Sequence, residues 1–193
     1  MTPRVLIIFG TSYGQTEKIG NRIAAELQRR GIAVELCNAA QGRPSLTPEQ
    51  YSGVVVGSSL IAHGHQPSIK QFVRDHVSTL NALPTAFYQV SASAGSSSRQ
   101  GRMAAQRILD DFLSSNGWTP LLSASIAGAI NYTRYNLLLR WYMKRASAKN
   151  GGATDTSRDH EYTDWAQVDR FAAVIANAIS PAADRAPEPA LRA

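Results

Sequence analysis

The sequence is poor in cysteine and in long apolar runs, and each shortage excludes a class of protein. Among 193 residues there is one cysteine, Cys37. A single thiol cannot form a disulfide within the chain or supply a multi-cysteine metal site, so we expect a reducing compartment such as the cytoplasm. No uncharged apolar stretch reaches the roughly 18 residues that a membrane-spanning helix needs. The apolar run near the start covers only residues 5–9, too short for a secretory signal.

Acidic side chains are scarce as well, and one segment lacks them altogether. The chain carries 20 Lys and Arg against 14 Asp and Glu, a formal net charge of +6. Residues 128–150 contain no acid and hold the cations Arg134, Arg140, Lys144, Arg145 and Lys149. A local basic patch favours an anionic partner, which leaves nucleic acid, anionic lipid and an acidic small molecule open.

Short apolar runs alternate with helix-like patterns along the chain. Strand-like runs occupy residues 5–9, 32–37, 51–57, 84–90 and 121–130. Apolar residues recur at helical spacing over residues 19–27, 69–77, 103–113 and 165–179. This alternation predicts an α/β fold with helices on both faces of a five-stranded parallel sheet, in the doubly wound order 2-1-3-4-5.

The chain length fits one domain, which we expect to span residues 1–180. Residues 131–163 are too many for an ordinary connection, so they form a long insertion before the last helix. The tail over residues 181–193 is rich in Ala and Pro, and we expect it to be flexible.

Ligands of an open α/β sheet bind beyond the carboxyl ends of its strands, so the loops there are the candidate site. The first loop leads directly into a helix and comprises Gly10, Thr11, Ser12, Tyr13, Gly14, Gln15 and Thr16. It has no charge but many hydroxyl and backbone N–H groups, which bind a phosphate well at a helix N-terminus. It lacks the Gly-Lys-Ser/Thr ending of a P-loop and the Gly-x-Gly-x-x-Gly of a dinucleotide fold. The alternative is a tight turn in which Thr16 caps the helix.

Two further loops complete this edge of the sheet. The loop after the third strand supplies Ser58, Ser59, Leu60, Ile61, His63 and Gly64, a mixture of apolar and polar groups that suits the rim of a planar ring. The loop after the fourth strand supplies Ser91, Ala92, Ser93 and Gly95, small residues that let a ligand approach the backbone; the alternative is a flexible surface loop. We interpret His63 and His65 as exposed loop positions without an acid–base role. No metal-ligand spacing involves them.

Several motifs resemble known flavoproteins. The loop over residues 11–16 resembles the FMN phosphate loop of flavodoxins, Thr-x-x-Gly-x-Thr. Over residues 4–180 the chain is similar to the bacterial HemG-type, menaquinone-dependent protoporphyrinogen oxidases. The blocks that carry this resemblance are Leu83-Pro84-x-Ala86-Phe87-Tyr88, Ile126-Ala127-Gly128-Ala129, Tyr132-x-Arg134-Tyr135, Gly151-Gly152-x-Thr154-Asp155-Thr156 and Tyr162-Thr163-Asp164-Trp165.

The resemblance implies a flavodoxin-like fold that binds FMN. It puts the phosphate at residues 11–16 and the isoalloxazine ring between residues 58–64 and 91–95. Members of this family oxidise protoporphyrinogen IX to protoporphyrin IX in haem synthesis and pass the electrons to a respiratory quinone, menaquinone or ubiquinone. They associate with the cytoplasmic face of the inner membrane. Whether the chain forms a homo-oligomer is left open. Because the flavin is the reacting group, we expect no catalytic side chain.

The insertion mixes cations with aromatic and leucine side chains. This composition suits a membrane interface, where rings lie at headgroup depth and cations meet anionic lipid. The cations could equally meet the propionates of a porphyrin, or lie on the solvated face of a packed helix. The candidate contacts are Arg134, Tyr135, Arg140, Trp141, Lys144 and Arg145. No nucleic-acid-binding module accompanies the charge, so nucleic acid is not expected.

Two other functions fit the same loops. One is an electron carrier or NAD(P)H–quinone reductase that does not act on porphyrin. The other is a flavodoxin-like binding domain without FMN. A chain that does not take up FMN would be the binding domain. A chain that takes up FMN but does not oxidise protoporphyrinogen would be the electron carrier or quinone reductase.

Overall fold

The computed structural model describes residues 2–42, 46–47, 49–61, 64–149 and 151–180. The strands in these ranges are β1 (Arg4–Gly10), β2 (Ala33–Asn38), β3 (Gly53–Ile61), β4 (Gly64–His65), β5 (Thr85–Ser91), β6 (Leu122–Ala127), β7 (Ala129–Ile130) and β8 (His160–Glu161). The α-helices are α1 (Gln15–Arg29), α2 (Pro67–Ala82), α3 (Arg99–Ser115), α4 (Leu137–Lys149) and α5 (Trp165–Ile179). The predicted flexible tail, residues 181–193, lies outside the described residues.

Five parallel strands form the main sheet in the order β2-β1-β3-β5-β6, which confirms the predicted doubly wound topology. The sheet has six strands rather than five, because β3 does not end at Gly57 as predicted. It continues through Ser58 and Ser59 to Ile61, then folds back as β4, antiparallel to its own end. Both neighbours support the extension, since Gly10 pairs with Ser58 and Val90 with Ser59. The residues predicted as a loop are therefore largely strand.

The core lies on both faces of the sheet, as the continuous apolar strands predict. In β1, Val5 and Ile7 point to one face while Leu6 and Ile8 point to the other, because side chains alternate along a strand. Helices α1 and α5 cover the first face, and α2 and α3 cover the second. The carboxyl ends of the strands are left for the connecting loops.

The predicted fifth strand, residues 121–130, is broken at Gly128. β6 ends at Ala127, and β7 turns away to pair with β8 from the far end of the insertion. The Gly128 N–H donates to the Ser91 carbonyl at 3.0 Å, and its carbonyl accepts from the Tyr162 N–H at 3.0 Å. A Cβ at this position would lie 2.8 Å from Cγ1 of Val90, so the close approach requires glycine. The break directs the insertion across the carboxyl ends of the strands.

Candidate functional site

The carboxyl ends of β3 and β5, together with the segments that follow β1, β5 and β6, surround a cavity of about 360 Å³ at the carboxyl edge of the sheet. The predicted residues that line this first cavity are Thr11, Ser12, Tyr13, Gln15, Thr16, Ser59, Leu60, Ser91, Ala92 and, from the insertion, Tyr135. The structure therefore brings all three predicted loops to one place. Sequence reasoning missed Val90, Gly128, Ala129, Asn131, Leu139 and Met143, which line the same cavity.

The first loop is shaped by Gly14, which adopts a left-handed conformation with φ of 91° immediately before α1. Its N–H donates to the hydroxyl of Thr11 at 3.0 Å. Gly14 is the N-cap of α1, and no side chain caps the helix. The alternative in which Thr16 caps the helix is therefore wrong. An uncapped helix start presents backbone N–H groups and the positive end of the helix dipole, a combination that binds anions.

Thr16 lies at the base of this loop with a fully buried side chain. Its hydroxyl has no hydrogen-bond partner among the described residues. Its carbonyl accepts a hydrogen bond of 3.0 Å from the hydroxyl of Tyr88, a fully buried residue of β5. Burial raises the pKa of Tyr88, so its phenol stays protonated and keeps donating. Tyr88 passes against Gly57 of β3, where a Cβ would lie 2.1 Å from Cζ of the ring.

Gln66 ties the first loop to the end of β3. Its side-chain amide donates to the hydroxyl of Ser12 at 2.7 Å and to that of Ser59 at 2.6 Å. Its backbone N–H donates to the hydroxyl of Ser58, which is fully buried and lines neither cavity. Ser58 therefore supports the rim and does not line it.

The loop after β5 is ordered by its own hydrogen bonds. The Ser91 hydroxyl accepts from the Ala94 N–H at 3.1 Å, and the turn Ser93–Gly95 follows. Ser93 and Gly95 line a second cavity of about 370 Å³, which shares Leu60, Ser91, Ala92 and Met143 with the first. The other residues of its lining are Ser96, Ser97, Ile130, Tyr142, Ala146, Ser147, Gly151, Gly152 and Tyr162. The two cavities are neighbours that meet at the loop after β5.

The insertion forms the roof over both cavities. Leu139 and Met143 of α4 pack inward, one helical turn apart. Tyr135 is buried beside them, and burial raises the pKa of its phenol. Its ring meets that of Tyr13 edge to face, with centroids 4.9 Å apart. The Gln15 side chain donates to Thr163 at 2.8 Å, which ties the start of α1 to the end of the insertion.

The predicted cations of the insertion separate into two groups. Arg134 donates to the Tyr13 carbonyl at 3.1 Å, and Arg140 donates to the Tyr135 carbonyl at 3.3 Å, so both lie near the roof. The second group, Lys144 and Arg145, lies on the exposed side of α4, which we call the outer face. The same face carries the exposed apolar residues Leu137, Leu138 and Trp141. Of the six predicted contacts, only Tyr135 lines a cavity. The other five, Arg134, Arg140, Trp141, Lys144 and Arg145, line neither.

The remaining predicted positions lie around the β3–β4 hairpin. Ile61 ends β3 and pairs with Gly64. Gly64 lines neither cavity. His63 lies outside the described residues. The interpretation of His65 as an exposed residue is wrong, because it is only 5% exposed and packs against Phe112 at a centroid distance of 4.2 Å. Burial, with a smaller effect of Lys70, lowers its pKa to about 4. Within the described ranges, no group of three His, Cys, Asp or Glu side chains is placed to hold a metal ion.

Comparison with known proteins places this geometry in context. The sequence model of the flavodoxin-domain family matches residues 6–157 of this chain. The chain is 37% identical over 175 residues to the protoporphyrinogen IX dehydrogenase (quinone) of Escherichia coli K12, covering 90% of this chain and 95% of that protein. It is 31% identical to the protein of the same name from Leishmania major, covering 91% and 75%. Among solved structures, oxidised flavodoxin 1 from Bacillus cereus superposes with a TM-score of 0.57 at 17% identity, covering 92% of this chain and 99% of that one, which supports the fold.

Proposed function

The chain belongs to the flavodoxin-domain family and, within it, to the quinone-dependent protoporphyrinogen IX dehydrogenases, and on that premise we propose that it oxidises protoporphyrinogen IX to protoporphyrin IX. FMN is the cofactor and a respiratory quinone is the electron acceptor. The observation that carries the proposal is the extent of the similarity to the Escherichia coli enzyme, which covers nine-tenths of this chain and so includes most of the insertion.

The residues of the first cavity fit FMN. The uncapped start of α1 and the hydroxyls of Thr11, Ser12 and Thr16 provide donors for a phosphate. The Thr16 hydroxyl is the most telling of these, since a buried hydroxyl without a partner is costly unless a ligand satisfies it. Leu60 and Ala92 offer apolar contacts and Ser59 and Ser91 polar ones to the flavin ring. When bound, FMN supplies the two-electron redox chemistry.

The protein itself positions the reactants and excludes water. Tyr135, Leu139 and Met143 line the side of the first cavity that faces the insertion, which limits the access of solvent to its interior. We assign the second cavity to protoporphyrinogen IX and the quinone. It shares Leu60 and Met143 with the first cavity and lies under the same helix. Full oxidation of one porphyrinogen removes three electron pairs and reduces three quinones, so quinone must gain access three times for each porphyrin formed.

We propose that the outer face of α4 rests on an anionic membrane surface, at the cytoplasmic face of the inner membrane. Leu137 and Leu138 are 82% and 77% exposed, and Trp141 is 60% exposed. Lys144 and Arg145 lie beside them, and residues 128–150 contain no acid. Exposed apolar groups with an aromatic ring and cations are typical of helices that lie in the membrane interface. In the described part of the chain, no helix combines the length and apolarity that crossing a bilayer would require.

Vesicle sedimentation tests this surface. The variant Leu138→Ser with Trp141→Ser should lose binding to vesicles rich in phosphatidylglycerol while keeping its flavin spectrum. Val174→Ser is the matched control, because Val174 is an exposed apolar residue of α5. Equal binding of the wild type, the double variant and Val174→Ser would contradict the proposed membrane contact. So would wild-type binding to zwitterionic vesicles that equals its binding to vesicles rich in phosphatidylglycerol.

The proposed activity is tested by an anaerobic assay of FMN-loaded protein with protoporphyrinogen IX, with and without a menaquinone analogue. Porphyrin fluorescence should rise only when protein, FMN and quinone are all present. No rise from protein that holds flavin would favour the NAD(P)H–quinone reductase alternative. Failure to take up FMN at all would favour a binding domain without the cofactor.

A further inference from the structure

The insertion places one guanidinium group directly against the first loop. Nη1 of Arg134 donates to the Tyr13 carbonyl at 3.1 Å. The same atom lies 3.9 Å from the position that a Cβ on Gly14 would occupy, so the cation touches the turn that opens α1. Its own turn is held in place by Tyr132, which is fully buried and donates to the Ala153 carbonyl at 2.8 Å.

Arg134 has no carboxylate partner among the described residues, and its remaining N–H groups make no hydrogen bond within them. A guanidinium has five N–H donors, of which the Tyr13 carbonyl uses one. Lys18, the first cation along α1, already pairs with Glu161 at 3.3 Å. Arg134 is therefore a cation at the first loop with donors to spare.

The first loop itself has no charge to set against a phosphate. Residues 10–16 contain no Lys, Arg or His. A phosphate monoester carries about −1.5 to −2 charges at neutral pH, while a helix N-terminus offers the equivalent of roughly half a positive charge. Neutral N–H and hydroxyl donors can bind such a phosphate without a full counter-charge, so an adjacent guanidinium would strengthen its binding.

We propose that Arg134 binds the FMN phosphate, so that the insertion completes the cofactor site as well as covering it. The proposal rests on the proposed binding of FMN at the first cavity. It moves Arg134 out of the set of membrane and substrate contacts, because its bond to Tyr13 directs it to the loop and away from the outer face of α4. Arginine suits the role, since its planar fork can hold the Tyr13 carbonyl and a phosphate oxygen together.

Comparison of FMN with riboflavin tests this role, because riboflavin lacks the phosphate. Flavin-free wild type and Arg134→Gln are titrated with each compound, and binding is followed by quenching of flavin fluorescence. Arg134→Gln should bind FMN about tenfold more weakly and riboflavin as wild type does, because one charge-assisted contact is lost. The FMN affinity of the variant should also depend less on salt than that of wild type. Arg107→Gln removes the same charge from the exposed side of α3 and should change neither affinity.

Each other outcome overturns the proposal. Equal FMN affinity of wild type and Arg134→Gln would show that Arg134 does not bind the phosphate, while the proposed function would stand. Equal losses for FMN and riboflavin would show that Arg134 only shapes the loop or the fold. A wild-type chain that binds neither flavin would overturn the proposed function and this role with it.

Discussion

Replacing Thr16 with valine should stabilise the flavin-free protein and weaken its binding of FMN. The Thr16 side chain is fully buried and its hydroxyl lacks a partner among the described residues. A buried polar group without a hydrogen bond costs about 1–3 kcal/mol, and valine has the same shape and a similar helix propensity. We expect the free energy of unfolding to rise by about 1 kcal/mol. The dissociation constant of FMN should increase about tenfold, because a hydrogen bond to the phosphate is lost.

Thr85 provides a matched control with the opposite sign. It is buried too, but its hydroxyl donates to the Leu80 carbonyl at 3.1 Å and accepts from Nε1 of Trp118 at 3.1 Å. Thr85→Val leaves both of these buried groups unsatisfied, so the free energy of unfolding should fall by about 2 kcal/mol. FMN binding should not change, because Thr85 lies at the amino end of β5, away from the cavity.

Urea unfolding of the flavin-free proteins and FMN titration measure the two effects separately. If Thr16→Val destabilises the flavin-free protein as Thr85→Val does, the Thr16 hydroxyl has a partner within the fold and the reasoning is refuted. If Thr16→Val stabilises the protein but leaves FMN affinity unchanged, the hydroxyl is not part of the phosphate site.

Two further predictions concern buried packing contacts. His65 has its pKa lowered from 6.5 to about 4, so the unfolded chain takes up this proton first as the pH falls. The free energy of unfolding should therefore drop by about 2 kcal/mol between pH 7 and pH 5 in urea titrations, and His65→Leu, but not His76→Gln, should remove that drop. An unchanged pH slope in His65→Leu would contradict the assignment. Gly57→Ala should lower the free energy of unfolding by about 3 kcal/mol, since its methyl group would overlap the Tyr88 ring, and adding Tyr88→Leu should recover part of the loss; no recovery would place the strain elsewhere.

The sheet and the first loop were predictable because their signals are local. Residues 5–9 form a continuous apolar run, which is typical of a strand buried on both faces. The hydroxyl-rich loop before α1 needs only the adjacent strand and helix to define its place. Where the prediction was wrong, the deciding contacts come from distant residues. β3 runs past Gly57 because β1 and β5 pair with its extension, and neither pairing is visible in the composition of residues 57–61.

The break at Gly128 and the burial of His65 have the same explanation. The strand-like pattern over residues 121–130 continues past Gly128 to Ile130, so nothing but the glycine itself signals a close approach. The bonds that end the strand there come from Ser91 and Tyr162. His65 is buried by Phe112 of α3, far along the chain. A sequence pattern cannot report which distant side chain will cover a polar residue.

Helix α4 of the insertion both lines the cavities and carries the exposed outer face, and its sequence does not show which residues do which. Apolar residues occur all around α4, so periodicity does not indicate which face is buried. In the structure, Leu139 and Met143 close the cavities, while Leu138 and Trp141 face outward. The inner face packs against the cluster of Ile130, Tyr132 and Tyr135. An exposed apolar face marks an interaction site, and a membrane surface is the proposed cover for the outer face. Because Arg134 lies just before this helix and contacts the first loop, the insertion joins the proposed membrane surface to the site where FMN is proposed to bind.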